Sequence, residues 1–452
     1  LNFVPSASSL KLPVTRLTLE NGLTLIHHYI PGCGVTAVDV WVKAGAVVEP
    51  DAWTGMAHFL EHMIFKGSDR IPPGRFDQII ENRGGMTNAA TSYDYAHFFI
   101  VTAAQDLAET LPYLGEILLH PAIPKDEFER EREVVLEEIL QTYDDPDSVG
   151  FERLLETVYQ RHPYGRSILG SEAILMQRSP DEMRDFHRTH YQPHNMTVVI
   201  VGDVSPDRAT QLVARSFTDF QTPAHCPQSE VEAEPPITQI RRQELSLPRL
   251  EHARLMMAWL GPGVESLEPE DDSLAVLPWK RSRPIAVQQD PLRTAAGLDL
   301  LSAILAEGRS SRLVQELRED RQLVHGISSG FTLQRDSSFF TISAWLDAEN
   351  LERVEALICD RLSQLMTLPV TEVELARAKR LLCNDYAFSI ETPAQMAGLY
   401  GYYHTMADLE AAFAYPDWIQ SLPASAISDL TSQYLSPYHY AAVVMQPASP
   451  LQ

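Results

Sequence analysis

Two apolar runs, NMTVVIV at Asn195–Val201 and YHYAAVVM at Tyr438–Met445, lie about 245 residues apart and read as one closing strand written twice. The elements ahead of each run repeat as well. In the first half, Val14–Tyr29 alternates around Glu20-Asn21-Gly22, a hairpin signal, and Val35–Ala44 reads as a further strand. Helical patterning follows near 73–82, 104–119, 124–144 and 147–160, then a strand near 195–202 and a helix near 205–217. The second half has strands near 241–247 and 252–260, helices near 292–306 and 310–319, and strands within 323–346. Helices near 349–367 and 371–390 precede its closing strand. At 452 residues the chain is too long for one hydrophobic core. The repeat therefore predicts two similar domains, 1–226 and 241–452, joined by a polar linker over 227–240 that contains Pro235-Pro236. Between Gly261 and Asp290 no period is visible, and a loop that long is functional or disordered.

The first half also carries His58-Phe59-Leu60-Glu61-His62. On a helix, positions four apart share a face, so both imidazoles can reach one divalent ion. Glu61, three residues after His58, lies close enough to that face to touch a water at an open metal position. About seventy residues on, Glu127–Gln141 (EFEREREVVLEEILQ) reads as a helix with apolar positions at Phe128, Val134, Val135, Ile139 and Leu140. Glu131 and Glu138, seven apart, share one side of it. A carboxylate from that side would complete a two-His, one-Glu set; the plainer reading is a solvated acidic face.

These residues resemble the M16 (pitrilysin-type) metallopeptidases, in particular the short-chain subgroup that includes mitochondrial processing peptidase. The order H-x-x-E-H is the inverted motif of the inverzincin zinc peptidases. The resemblance implies an α+β fold of two homologous α/β-roll domains, each an antiparallel sheet flanked by helices, with two chains closing around a chamber. It implies one zinc ion per chain on His58, His62 and Glu138, with Glu137 as the competing carboxylate about 100° away on the helix. Glu131 takes the supporting acidic position, and Glu61 is the general base for hydrolysis of a peptide bond. Gly85–Thr91 (GMTNAAT) resembles the family's substrate strand, which places Asn88 and Ala89 against an extended peptide. Gly308–Arg318 (GRSSRLVQELR) resembles the second-domain segment that supplies an arginine, here Arg318. A tyrosine is expected seven residues later, where this chain has His325. Either His325 substitutes for it or another subunit supplies the pair. The expectation is thus a dimer, leaning to a heterodimer with a homologous chain carrying the arginine and tyrosine. The alternatives are a non-catalytic scaffold subunit and a subunit silent without that partner. The 261–290 segment then reads as an insertion at a partner contact or the chamber rim.

Composition narrows the partners. A net charge of −25, from 36 basic and 61 acidic residues, argues against nucleic acid, which needs a basic surface. No apolar run reaches the roughly 18 residues of a membrane span. Cys33, Cys226, Cys359 and Cys383 form no C-x-x-C pair or disulfide framework. A soluble protein of a bacterial-type periplasm or cytoplasm is expected, the compartment being open. The chain starts at Leu1 rather than methionine, consistent with an upstream segment processed or left out. His187, His190 and His194 tempt a metal reading, but Pro193 should break the helix before the third. His27 and His28 alternate on a strand and face opposite ways.

Overall fold

A computed structural model describes residues 14–248, 250–265 and 290–448, so most of the 261–290 segment lies outside the described residues. The chain forms two compact units. The first comprises residues 1–141, 167–230 and 387–413; the second comprises 142–166, 231–386 and 414–452. Each unit is mainly built from one repeat but includes a segment of the other, which contiguous boundaries at 226 and 241 do not express.

The first unit is built on a six-stranded sheet, in the order β1-β2-β6-β3-β5-β4. The strands are β1 (Val14–Thr18), β2 (Thr24–Tyr29), β3 (Val35–Val42), β4 (Met86–Thr91), β5 (Ala96–Ala103) and β6 (Met196–Gly202). The β1–β2 turn holds Gly22 at φ +92°, the left-handed conformation that the Asn-Gly pair foretold. Only β2–β6 is parallel among these pairs; the others are antiparallel.

Strand β6 is buried along its whole length because both faces of the sheet are covered. Val198 and Ile200 enter the larger core with Leu25, Val38, Val40 and Phe98, against Phe59, Leu60 and Met63 of the helix Met56–Ile64. Val199 and Val201 face the other way, with Ile26, Ala37 and Trp41, onto Ala397 and Tyr400 of the helix Pro393–Met406. A Cβ built at Gly401 of that helix would lie 2.0 Å from Trp41 Nε1, so only glycine permits this approach.

The second unit has five strands in the order β7-β11-β8-β10-β9. These are β7 (Arg241–Leu247), β8 (Ala253–Pro262), β9 (Gly326–Thr332), β10 (Ser337–Leu346) and β11 (Ala441–Pro447). Five of the six strands recur in order, β2-β6-β3-β5-β4 as β7-β11-β8-β10-β9, and β1 has no counterpart among the described residues. Again one pair, β7–β11, is parallel and the rest antiparallel. On one face Trp259, Phe340 and Val444 pack with Leu301 and Ile304 of the helix Pro291–Ala306 and Ile358 and Leu362 of the helix Leu351–Thr367. The helix Pro146–Val158, drawn from the first half of the chain, packs on β7, β8 and β11, where a Cβ at Gly150 would come 2.4 Å from the Met445 methyl. Each repeat thus lends one helix to the other's sheet.

The polar 227–240 stretch is anchored rather than loose. Glu234, its side chain buried, accepts hydrogen bonds from the backbone N–H groups of Arg161 and His162 and pairs with Arg241. The helix expected near 310–319 is there as a π-helical segment, Val314–Asp320. Helices at Pro393–Met406, Leu409–Ser421 and Ala424–Tyr434 have no counterpart in the sequence reading.

Candidate metal centre

The helix Met56–Ile64 has nine residues, too short to be stable by itself. Its start is held from outside. The buried Glu49 carboxylate accepts from the Gly55 and Ala57 N–H groups, at 2.9 and 2.6 Å, placing negative charge on the positive end of the helix. Gly55, at φ +95°, brings the chain in so closely that a Cβ would meet the Leu169 carbonyl oxygen at 2.6 Å. Its apolar side chains are buried, leaving His58, Glu61 and His62 on the remaining arc.

The acidic helix Lys125–Asp144 lies against it through Phe128, whose ring is 4.6 Å from that of Phe59. Phe128, Glu131, Val135 and Ile139 form its buried stripe. Val134 and Leu140, expected on the apolar face, are exposed, because the stripe is narrow and a carboxylate occupies part of it. Glu131 is therefore not a solvated side chain. Its carboxylate accepts from His62 Nδ1 at 2.9 Å and pairs with Lys66 Nζ at 2.6 Å.

His58 Nε2 and His62 Nε2 lie 3.7 and 3.5 Å from Glu138 Oε2. One donor atom from each of the three residues falls within 4.8 Å of the others. Tetrahedral zinc with bonds near 2.0–2.1 Å separates its donors by roughly 3.3 Å, so small side-chain movements would close the set around an ion. Glu137, the competitor, is exposed and outside this group.

The electrostatics suit a cation. Burial, reinforced by the neighbouring His62, depresses His58 to about 4, so its imidazole is neutral and its lone pair is free for a metal at ordinary pH. Burial also works against charge on His62, but the hydrogen bond to Glu131 and the carboxylates of Glu131, Glu138 and Glu61 outweigh it and raise its pKa. The group thus holds a positive charge comfortably where an ion would sit. Burial opposes charge on Glu131 too; the hydrogen bonds from His62 and Lys66 overcome it and keep the group ionised below its usual range.

Glu61 does not join the donor set. Burial raises its pKa, and a 2.6 Å hydrogen bond donated by Thr91 Oγ1 partly offsets that rise. A half-buried carboxylate beside the donors, with a pKa moved towards neutrality, has the properties of a general base. Thr91 was not singled out in the sequence. It ends β4, and only the packing of that strand beside the metal helix brings it to Glu61; its place on the strand, in phase with Thr87 and Ala89, was the one available signal.

Asn88 and Ala89 lie on β4, the edge strand of the sheet, with Asn88 exposed and Ala89 half-buried. An edge strand can accept an added strand. Arg318 and His325 belong to the second unit. Arg318 binds its sequence neighbour Glu319, at 2.6 and 3.0 Å. His325 Nε2 lies 3.2 Å from Asp347 Oδ1. Elsewhere, His187 is buried with Nε2 donating to the Leu118 carbonyl, and its helix ends at His190. His27 reaches the Val204 carbonyl and His28 the Tyr400 hydroxyl, in keeping with opposite faces.

Comparison with known proteins agrees with this geometry. Residues 29–172 match the family model for insulinase (peptidase family M16), and residues 178–382 match that for the peptidase M16 inactive domain. The zinc protease PqqE of Helicobacter pylori is 27% identical over 435 residues, covering 95% of this chain and 92% of that protein. The uncharacterized zinc protease YmxG of Bacillus subtilis is 25% identical, covering 84% of this chain and 85% of that protein. Among solved structures, a protease from Helicobacter pylori superposes with a TM-score of 0.84 at 26% identity, covering 96% of this chain and 99% of that one. A peptidase M16 inactive domain from Pseudomonas fluorescens shares the fold, with a TM-score of 0.82 at 21% identity, covering 98% and 100%. With both halves of the chain matched and a His-His-Glu set on facing helices, this protein belongs to the M16 family of peptidases.

Proposed function

We propose that the chain is a zinc-dependent endopeptidase acting on peptides or unfolded polypeptide segments. The observation that carries the reading is the convergence of His58, His62 and Glu138 donor atoms within 4.8 Å, with Glu61 beside them and outside the set. These three residues would hold the zinc, which would supply Lewis acidity towards the scissile carbonyl and a water molecule. Glu61 accepts the proton of the attacking water and delivers it to the leaving amine. Thr91 steadies the Glu61 carboxylate through its hydroxyl. Glu131, fixed by Lys66, holds His62 by Nδ1 so that Nε2 faces the donor set. Strand β4 offers its outer edge, with Asn88 and Ala89, to an extended peptide.

A second reading has a specific observation behind it. Arg318 is taken up by Glu319 and His325 by Asp347, so neither is poised as the arginine–tyrosine pair that the resemblance expects. A dimer in which a homologous chain supplies that pair accounts for this, and the present chain would then be silent alone.

The test is Glu61→Gln, measured by zinc content and by turnover of a quenched peptide, with and without a co-purified partner. The zinc content of Glu61→Gln should match that of the wild type while hydrolysis falls by at least a thousandfold. Retained turnover would remove Glu61 from the general-base role, and turnover by the lone wild-type chain would refute the silent subunit.

A further inference from the structure

The second unit brings another set of metal-capable side chains together, and none of them belongs to the centre above. Strand β10 lies between β8 and β9, and the ladders pair Leu346 with Ala253 and Trp345 with Gly326. His252 immediately precedes β8, His325 immediately precedes β9 and Asp347 immediately follows β10, so the register itself sets three side chains at one end of three adjacent strands. The backbone pins His325 further, its N–H donating to the Trp345 carbonyl at 2.9 Å.

Asp347 Oδ1 stands 3.2 Å from His325 Nε2 and 3.5 Å from His252 Nδ1. The two imidazole rings are 4.3 Å apart, and one donor atom from each of the three residues lies within 4.8 Å of the others. These spans are as close to the roughly 3.3 Å edge of a zinc tetrahedron as those of the first centre. Asp347 stands at the N-cap of the short turn Ala348–Asn350, yet its side chain makes no capping hydrogen bond; the carboxylate faces the histidines instead. The charge of Arg254, two residues after His252, is offset, since its Nε donates to Asp147 at 2.8 Å and its Nη1 to the His252 carbonyl. All three ligand residues are exposed, so an ion would meet water at its remaining position.

We propose that His252 Nδ1, His325 Nε2 and Asp347 Oδ1 form a second metal site, for a divalent transition ion of the zinc, cobalt, nickel or copper class. Two imidazoles and one carboxylate select such ions over magnesium or calcium, which prefer all-oxygen shells. A bound ion would tie together the ends of β8, β9 and β10, including the approach to β9, where Gln322 holds a left-handed φ of +51°.

The experiment uses the full chain, stripped by chelation and dialysed to equilibrium against micromolar zinc chloride, with zinc counted by elemental analysis. Wild type should take up two ions per chain. His252→Ala and Asp347→Asn should each take up one, and His58→Ala/His62→Ala should retain one. Combining the latter with His252→Ala should leave none. The His252→Ala protein reports the first centre and the His58→Ala/His62→Ala protein reports the second, so failure of either is read separately. His252 is exposed, so its removal leaves folding intact. An unchanged count in His252→Ala, or a wild-type count of one that His58→Ala/His62→Ala abolishes, would overturn the second site.

Discussion

Thr91→Val isolates the contact that no motif announces. The substitution removes one hydroxyl and keeps a β-branched side chain suited to a strand. What is lost is the 2.6 Å hydrogen bond from Thr91 Oγ1 to Glu61 Oε2. A hydrogen bond to a charged group contributes about 1.5–3 kcal/mol. It acts only on the ionised carboxylate, so its loss should raise the Glu61 pKa. The direction follows from the environment: burial already pushes Glu61 up, and Thr91 is the largest of the influences holding it down.

A general base works only when ionised, so the acid limb of kcat/KM should move to higher pH. Turnover on the limb should fall by about ten- to a hundredfold, while the plateau above it and the zinc content stay close to wild type. Thr91→Ser, which restores the hydroxyl, should bring the limb back. The assay is a pH–rate profile on a quenched peptide under subsaturating conditions, with metal content measured on the same preparations. Coincident limbs for wild type and Thr91→Val would refute the reasoning, as would a loss that is uniform in pH and unrelieved by serine.

Glu138→Gln should lower zinc retention in competition with a chelator by at least tenfold, whereas Glu137→Gln should leave it within about twofold, since only Glu138 approaches both histidines; equal losses would reject the assignment. His187, buried and depressed to about 4, should make the protein less stable as pH falls. The unfolded chain binds this proton near 6.5 and the folded one does not, so stability present above 6.5 is lost progressively down to the folded value, by about 2 kcal/mol between pH 7 and 5. Urea unfolding of His187→Gln should show a correspondingly flatter change between those two pH values. Gly401→Ala would ordinarily strengthen a helix by about 1 kcal/mol. Here the new methyl meets the buried Trp41 indole, itself stacked on His97, and the variant should lose about 1–3 kcal/mol in denaturant titration.

How much of this could be read from the residues depends on how local each signal is. The His58–His62 spacing, the Glu131–Glu138 phase and the Asn21-Gly22 turn are settled within one or two turns of chain, and all appear in the fold as the pattern suggests. Strand β6 was visible as an unbroken apolar run because both its faces are covered. The missed helices are of another kind. Pro393–Met406 is apolar on nearly every side and contains Gly398 and Gly401, so it shows no stripe; its Thr392–Gln395 capping box was the readable mark. Leu409–Ser421 carries Pro416 in its interior, which counts against a helix in any local reading. Glu131 looked like one more charge on an acidic helix, and only the approach of His62 and Lys66 makes it a buried, oriented carboxylate.

The exchanged helices explain why contiguous boundaries describe this chain poorly. A sheet whose central strand is apolar on both faces must be covered twice. In the first unit one cover is the helix Met56–Ile64 with its neighbours, and that side carries His58 and His62. The other is Pro393–Met406, laid on Ile26, Ala37, Trp41, Val199 and Val201 by residues that follow nearly two hundred positions later. The side chains opposite the candidate centre are therefore buried by the second repeat, and the strands carrying that side of the first unit cannot bury it with residues 1–226 alone. A duplication that left each copy self-sufficient would have kept its own helix on its own sheet; here Gly401, too close to the Trp41 indole for a side chain, and Gly150, packed on the Met445 methyl, mark the two places where each repeat covers the other's sheet.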